Sequence, residues 1–168
     1  MKETLLTVLE NTRLADGIYR LRLAGDTSAI TAPGQFVNLK LSGFFLRRPI
    51  SVCDWENGEV TLIYKVLGHG TEAMTGMAVG TALDVLTGLG NGFDLSRSGE
   101  HPLLVGGGVG IPPLYGLARR LTAQGKRVTA VLGFNRKSEI FLAEEFRALG
   151  AEVVIATADG SDGLISYI

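Results

Sequence analysis

The residues of this chain that are best suited to bind an anionic ligand begin with two adjacent arginines. Arg47 and Arg48 stand immediately before Pro49, and an alternating run that contains Ser51 follows. Because the proline ring restricts the backbone, it holds Arg48 at the start of a strand, where the guanidinium can pair with a phosphate through two hydrogen bonds. Ser51 points its hydroxyl to the same face as Pro49. The stretch predicts either an ordinary barrel edge or a strand that holds an anion.

A glycine loop within LLVGGGVGIPPLYGLA gives the second signal. The stretch predicts a strand, a loop with Gly106, Gly107, Gly108 and Gly110, and a helix with Pro112 in its first turn. Backbone N–H groups of such a loop can approach a ligand closely, and the helix N-terminus favours an anion. The spacing matches neither the G-x-G-x-x-G fingerprint nor the Walker A motif. We therefore predict a phosphate or nicotinamide-ribose contact, with a tight packing turn as the alternative.

Two further glycine-rich stretches give weaker signals. VLGHGTEAM places Gly68, Gly70 and Thr71 after a predicted strand, where backbone N–H groups and a hydroxyl could form a small anion cradle. A plain turn explains the same residues equally well. The stretch at 87–93 fits either a hinge between domains or a ligand contact. Taken together with Arg48, the cradle favours a cofactor that carries phosphate.

The hydrophobic pattern of the first 98 residues alternates with a period of two, which is typical of β-strands. Hydrophobic residues make up 46% of the 168 residues and charged residues 20%, so the chain can bury a core. Six strands are predicted, at 3–10, 17–23, 35–41, 48–54, 59–66 and 81–86. Short strands at this spacing predict a closed barrel or a sandwich in residues 1–98.

The pattern changes near residue 99, where strands begin to alternate with helices. The run from Leu103 to Val105 is wholly apolar, as expected for a strand buried on both faces. A helix follows from about 112, then strands at 128–132 and 152–157, and a helix at 138–149 with Ser138 as its N-cap. This order predicts a parallel, doubly wound sheet in residues 99–168. Because three strands form about half of a typical dinucleotide-binding sheet, we expect a partial domain and a shortened chain.

Charge and cysteine content exclude several classes of function. A net charge of -1 gives neither the basic surface that nucleic acid requires nor a patch for anionic lipid. The N-terminus lacks the form of a signal peptide, and the longest uncharged run, 102–118, is too rich in glycine and proline for a membrane helix, so we predict a cytoplasmic protein. The single cysteine, Cys53, predicts a small buried thiol and excludes a disulfide framework. Neither His69 nor His101 has an acidic neighbour at catalytic or metal-binding spacing.

Six motifs of the chain occur in the order found in the ferredoxin-NADP reductase superfamily. They are RRPIS, IYKVLGHGT, GLGNGF, LLVGGGVGIPPLYGLA, LGFNRKSEIFLAEEF and ATADGSDG. Over nearly its whole length, the chain most resembles the electron-transfer subunits of type B dihydroorotate dehydrogenases. The resemblance implies a six-stranded antiparallel Greek-key barrel that binds FAD, followed by a partial NAD-binding sheet.

The resemblance also implies which residues bind the cofactors. Those expected to contact FAD are Arg48, Pro49, Ile50, Ser51, Ile63, Tyr64, Lys65, Gly70 and Thr71. Those expected to face the nicotinamide are Gly106, Gly107, Gly108, Gly110, Ile111 and Pro112, with 133–136 and 159–161 along the dinucleotide. Ile50 replaces the tyrosine that is usual in the superfamily, which removes a ring that would stack on the flavin.

The implied activity is hydride transfer from NADH to the flavin, from which single electrons leave through a [2Fe-2S] cluster to the FMN of a catalytic dihydroorotate dehydrogenase subunit. Four cysteines bind that cluster in the family, and this chain has one. No catalytic residue is predicted, since the cofactors carry the chemistry. The basic run 135–137 leaves NADPH open as the donor. The alternatives are another NAD(P)H-flavin or ferredoxin oxidoreductase subunit, and a non-catalytic fragment that forms a homo-oligomer through its open sheet edge.

Overall fold

The computed structural model describes residues 1–165, which form a closed antiparallel barrel followed by a parallel sheet. The barrel strands are β1 (Lys2–Ala15), β2 (Ile18–Gly25), β3 (Phe36–Leu39), β4 (Arg48–Glu56), β5 (Glu59–Lys65) and β6 (Ala82–Leu89). The sheet strands are β7 (Leu103–Gly107), β8 (Thr129–Phe134), β9 (Glu152–Thr157) and β10 (Leu164–Ile165). The α-helices within the described residues are α1 (His69–Thr75), α2 (Pro112–Ala123) and α3 (Ala143–Ala148).

The barrel closes because β1 pairs with β6 as well as with β2, which gives the strand order β1-β2-β5-β4-β3-β6. Every one of these pairings is antiparallel. Alternate side chains point inward, and Leu21 on β2 and Leu62 on β5 are fully buried. Over the described residues, the prediction of a six-stranded antiparallel barrel is therefore confirmed.

Strand β1 is longer than the predicted strand at 3–10, because it continues to Ala15. Its pairing with β2 shifts register between Val8 and Glu10 and again between Arg13 and Ala15. Such bulges insert an extra residue and increase the local twist. They interrupt the period of two from which the end of the strand was predicted, and they allow one strand to pair with two neighbours.

The sheet has the order β10-β9-β8-β7, and its strands are parallel. Helix α2 connects β7 to β8 and helix α3 connects β8 to β9, so the predicted alternation of strands and helices is confirmed. Strand β10 was not predicted, because two residues are too few to show a period. Among the described strands, each one lies beside the next strand in the chain and always on the same side, as expected for one half of a doubly wound sheet.

The run from Leu103 to Val105 is not buried on both faces, so that prediction is wrong. Leu103 is 63% exposed and Val105 52% exposed, whereas Leu104 between them is buried. In the part of the chain that the structure describes, only one face of β7 is covered. The apolar run alone could not distinguish a strand covered on one face from one covered on both.

The predicted helix at 138–149 is also wrong at its start, and Ser138 is not its N-cap. A 3₁₀ turn occupies Lys137–Glu139, and α3 begins only after Leu142, which adopts a left-handed φ of 62°. The side chains of Phe141 and Leu142 are buried. Tertiary packing of these two residues, rather than side-chain capping, therefore decides where the helix begins.

The barrel and the sheet share one hydrophobic cluster. Ile18, Cys53 and Ile63 of the barrel belong to the same cluster as Leu117 of α2 and Phe146 of α3. Cys53 is buried, as predicted, and this burial raises the pKa of its thiol. The two regions are therefore joined by a common core as well as by the chain.

Helix α2 lies directly against β4. A Cβ atom on Gly116 would lie 2.7 Å from the carbonyl oxygen of Cys53, so only glycine permits this approach without a shift. One turn further along the helix, the guanidinium of Arg120 lies 3.6 Å from the centre of the Trp55 ring. These contacts fix the orientation of the sheet relative to the barrel.

Candidate cofactor-binding site

The two adjacent arginines have different environments. Nη1 and Nη2 of Arg47 both donate to the Asp84 carboxylate, with contacts of 3.0 Å, and Nη2 also donates to the Glu3 carboxylate at 2.8 Å. The same side chain donates to the carbonyl of Asn38 at 3.4 Å. Arg47 therefore links β1, β3 and β6, and it is the ordinary barrel-edge residue of the pair.

Arg48 forms no ion pair with a carboxylate among residues 1–165, and its side chain donates to the backbone carbonyls of Leu46 and Arg47. The shorter of these, to Leu46, is 2.6 Å. Its guanidinium lies 5.0 Å from the centre of the Phe44 ring and against Gly70 of α1. A Cβ atom on Gly70 would lie 2.1 Å from Nε of Arg48. Glycine at this position makes room for a cation whose charge is not neutralised by a neighbouring carboxylate.

A cavity of about 250 Å³ opens beside the start of β4; we call it the barrel cavity. The predicted residues that line it are Pro49, Ile50, Ser51, Ile63, Tyr64, Lys65 and Thr71, and they are joined by Leu67 and Val109. The neighbouring strands β4 and β5 bring most of them together. The two remaining predicted FAD contacts, Arg48 and Gly70, lie against each other.

Tyr64 forms a rigid part of the cavity wall. It is almost fully buried, its hydroxyl donates to Oδ1 of Asn11 at 3.1 Å, and its ring stacks on Tyr19 with the ring centres 5.7 Å apart. Burial raises the pKa of Tyr64 to about 12. The phenol is therefore protonated and fixed in place at neutral pH.

The Thr71 hydroxyl is already used within the turn that begins α1. It accepts hydrogen bonds from the backbone N–H groups of Leu67 at 2.9 Å and Gly68 at 3.3 Å, and it donates to the carbonyl of Gly68 at 3.0 Å. Thr71 therefore shapes the turn in addition to lining the cavity. The hydroxyl therefore acts as the plain-turn alternative predicted, by holding the turn from Gly68 to Thr71.

A second cavity, of about 320 Å³, lies where the carboxyl ends of β7 and β8 face the barrel; we call it the cleft cavity. Its lining residues are Ile18, Lys65, Gly107, Gly108, Val109, Gly133, Phe134, Asn135, Glu139, Phe141 and Ala158. The carboxyl ends of parallel strands are the usual ligand site of such sheets. Because Lys65 and Val109 line both cavities, the cleft cavity and the barrel cavity are neighbours.

The glycines of the loop have two different surroundings. Gly107 and Gly108 line the cleft cavity, and Gly108 has a φ of 49°, which favours glycine. Gly106 packs against α2, where a Cβ atom would lie 2.6 Å from a leucine side chain. Gly110 and Pro112 line neither cavity, and Pro112 is buried in the first turn of α2. The packing-turn interpretation therefore describes Gly106, whereas for Gly107 and Gly108, which line the cleft cavity, the ligand contact stays a prediction.

Of the two stretches predicted to lie along the dinucleotide, only one lines the cleft cavity. Gly133 and Asn135 line the cleft cavity, whereas residues 159–161 do not. The Ser161 hydroxyl instead accepts a hydrogen bond from the backbone N–H of Lys137 at 2.8 Å. That contact ties the loop after β9 to the loop after β8.

Glu139 is the residue of this site that sequence patterns do not reveal. Its side chain is 11% exposed and accepts hydrogen bonds from Asn135 at 3.0 Å, Arg136 at 3.1 Å and Lys65 at 3.4 Å. Burial raises the pKa of Glu139, but the hydrogen bond from Asn135 and the charge of Lys65 outweigh burial, so the pKa lies below its ordinary value. A carboxylate is therefore present in the cleft cavity at neutral pH.

Two classes of site are not found in the described part of the chain. Over residues 1–165, no helix combines the length and the apolar character needed to cross a membrane. The same residues contain no group of three or more histidine, cysteine, aspartate or glutamate side chains arranged to hold a metal ion.

A closed barrel joined to a parallel sheet, with neighbouring cavities at their junction, defines the ferredoxin-reductase class of oxidoreductases. The chain superposes with a TM-score of 0.85 on the NADH-dependent reduced ferredoxin-NADP oxidoreductase studied for flavin-based electron bifurcation, with 30% identity over 96% of this chain and 59% of that one. It superposes equally well, with a TM-score of 0.85, on a ferredoxin NADP+ reductase from Neisseria gonorrhoeae with bound FAD and NADP. That match covers 99% of this chain and 74% of the other, and at 18% identity it shows the fold alone.

The chain belongs to the family of dihydroorotate dehydrogenase B (NAD(+)) electron transfer subunits, as its motifs predicted. The subunit from Bacillus pumilus is 44% identical to it over an alignment 176 positions long, which covers 100% of this chain and 68% of the relative. The subunit from Shouchella clausii is also 44% identical, over 99% of this chain and 67% of the relative. The chain thus spans about two thirds of the length of these relatives. No family model matches it.

Proposed function

We propose that this chain is an electron-transfer flavoprotein subunit that binds FAD in the barrel cavity and NAD(H) in the cleft cavity. The observation that carries the proposal is the contact between the two cavities, which share Lys65 and Val109. Ligands in the two cavities would lie next to each other, as direct transfer between cofactors requires. FAD, when bound, supplies the change from two-electron to one-electron chemistry.

The residues around the barrel cavity fit a flavin nucleotide. Arg48 offers a guanidinium without a carboxylate partner within residues 1–165, which suits the pyrophosphate of the nucleotide. Ile50 and Ile63 give the cavity aliphatic walls, and Ser51 adds a hydroxyl. In this proposal these residues bind and orient the cofactor, and none of them transfers a proton.

We place the rest of the nucleotide in a third, larger cavity. It has a volume of about 580 Å³ and is lined in part by Phe44 and Ser42 of the loop before β4 and by Ala73 of α1. The guanidinium of Arg48 contacts Phe44, which lines this larger cavity, and Gly70, which precedes Thr71 of the barrel cavity in the chain. We assign the flavin ring to the barrel cavity and the adenosine half to this larger cavity, with the pyrophosphate at Arg48.

The cleft cavity fits the nicotinamide nucleotide. Gly107 and Gly108 line it without side chains, so a ligand can approach the backbone closely. Lys65 supplies a positive charge at the boundary between the two cavities. The protein's contribution there is binding, orientation and the exclusion of water.

A [2Fe-2S] cluster does not fit this chain. Four thiolates usually hold such a cluster, and the 168 residues contain one cysteine, which is buried in the core. We therefore assign no step to a cluster within these residues. A catalytic dihydroorotate dehydrogenase subunit with FMN is our proposed electron acceptor, and the cytoplasmic location and self-association expected from the sequence remain predictions.

The proposal is tested by the visible spectrum of the purified chain before and after anaerobic addition of NADH. We expect flavin absorption bands that bleach when NADH is added. Bands that persist would leave FAD binding intact and overturn the nicotinamide site. A colourless protein that takes up no added FAD would overturn the assignment of Arg48 to Ser51. Co-purification with a flavin-containing dehydrogenase chain would support the proposed partner over a ferredoxin-type acceptor.

A further inference from the structure

The loop between β8 and α3 spans the cleft and makes three polar contacts with the barrel. The carbonyl of Ser138 accepts a hydrogen bond from the backbone N–H of Asp16 at 3.2 Å. Arg136 lies 3.6 Å from the Asp16 carboxylate, and Glu139 pairs with Lys65 at 3.4 Å. The last of these contacts is the one whose two side chains both line the cleft cavity. Its charges therefore face whatever ligand the cleft binds.

The two partners of this ion pair are held unequally. Glu139 is nearly buried and keeps two shorter hydrogen bonds, from Asn135 and Arg136. Lys65 is 30% exposed, and its contact of 3.4 Å with Glu139 is its only ion pair within residues 1–165. Lys65 can therefore leave Glu139 without stranding the carboxylate, because the other two donors remain.

An anionic ligand in the cleft would meet both charges. The Glu139 carboxylate repels a phosphate, whereas the Lys65 ammonium attracts one. As long as Lys65 is paired with Glu139, part of its charge is neutralised and is not available to the ligand. The ligand and Glu139 therefore compete for the same cation.

We propose that Glu139 is a positioning residue that holds Lys65 across the cleft and releases it to the pyrophosphate of NAD(H) when the dinucleotide binds. This inference rests on the proposed function, because it requires the cleft cavity to bind the dinucleotide. Glu139 then limits the affinity of the site and keeps the empty cleft from presenting an unpaired lysine to other anions.

The test is calorimetric titration of NAD+ into the flavin-loaded chain, which measures binding without net reduction of the flavin. Glu139→Gln preserves the size of the side chain and one acceptor oxygen but removes the charge, and we expect it to bind NAD+ about fivefold more tightly. Lys65→Gln should bind NAD+ about tenfold more weakly, since it removes a charge-assisted contact. Adenosine, which carries no phosphate, should bind Glu139→Gln and the wild type equally.

Glu144→Gln is the matched control. It removes the same charge from the same region, but Glu144 pairs with Arg147 on the exposed side of α3, outside the cleft. It should leave NAD+ affinity unchanged, whereas an equal gain in this variant would show a general effect of net charge and overturn the proposal.

The double variant Lys65→Gln/Glu139→Gln distinguishes competition from simple repulsion. If the two residues compete as proposed, the gain from Glu139→Gln shrinks when Lys65 is absent. The proposed transfer of Lys65 from Glu139 to the ligand would be overturned if the gain in NAD+ affinity persisted in the double variant. Weaker NAD+ binding by a stably folded Glu139→Gln variant would also overturn it. Either result would leave the proposed function intact. A wild-type protein that holds flavin but binds no NAD+ would overturn both.

Discussion

The barrel and the sheet differ in how completely their apolar residues are covered. In the barrel every strand has two paired neighbours, and Leu62 on β5 is fully buried. In the described part of the sheet, β7 lies at an edge, and its Leu103 and Val105 are 63% and 52% exposed. The barrel is therefore a complete core, whereas the sheet obtains much of its burial from the face that contacts the barrel.

The barrel cavity and the cleft cavity lie where these two regions meet. Lys65 and Val109 belong one to each region, and both line the two cavities. Any change that loosens the junction should therefore affect ligand binding as well as stability, whereas a change on the uncovered face of β7 should affect neither.

The largest expected effect is in the barrel core. Leu62→Ala should lower the free energy of unfolding by about 3–5 kcal/mol, because it opens a cavity in a fully buried position. Leu103→Ala, the same substitution at an exposed position of the sheet, should change it by less than about 0.5 kcal/mol. Denaturant unfolding followed by circular dichroism measures both. Comparable losses for the two variants would contradict the difference between the regions.

A smaller effect is expected at the start of β4, on ligand binding. Arg48→Gln should weaken FAD affinity by about 10- to 100-fold, because it removes a charge-assisted contact to the pyrophosphate. Arg47→Gln should instead lower stability, since it leaves the Asp84 carboxylate without its main partner. Fluorescence titration of FAD and thermal melts separate the two results. Equal FAD affinity of Arg48→Gln and the wild type would contradict our assignment of the free guanidinium.

The smallest effect is expected at the junction itself. Gly116→Ala forces a Cβ atom to within 2.7 Å of the Cys53 carbonyl oxygen unless the helix moves. Overpacking of this kind costs about 1–3 kcal/mol, but alanine regains about 0.8–1 kcal/mol of helix propensity. The net loss of stability should therefore be about 1 kcal/mol, measured by denaturant unfolding. Gly99→Ala, at an open loop position, is the control and should be neutral; a stabilised Gly116→Ala variant would show that α2 does not depend on the close approach.

Much of the fold could be predicted from local patterns. The period of two predicted the barrel strands, and the run of strand, glycine loop and helix predicted β7 and α2, because these patterns concern residues close together in the chain. The predictions failed where distant contacts decide. Bulges extended β1, burial of Phe141 and Leu142 delayed α3, and the uncovered face of β7 exposed Leu103.

The candidate site was predictable to a similar degree. The motifs named nearly all residues that line the barrel cavity, since β4 and β5 carry them in consecutive runs. They did not identify Glu139, because a single glutamate in a basic loop forms no pattern. They also did not separate the part of the glycine loop that packs, at Gly106, from the part that lines the cleft, at Gly108.

The sequence by itself predicted which residues could bind an anion, the order of most strands and helices, and the family to which the chain belongs. Only the tertiary structure decided that Arg47 is neutralised by Asp84 while Arg48 is not, and that Lys65 faces Glu139 across a cleft. The physical reason is sequence separation. The charge state and freedom of a side chain depend on the neighbours that folding brings to it, and Lys65 and Glu139 lie 74 residues apart in the chain.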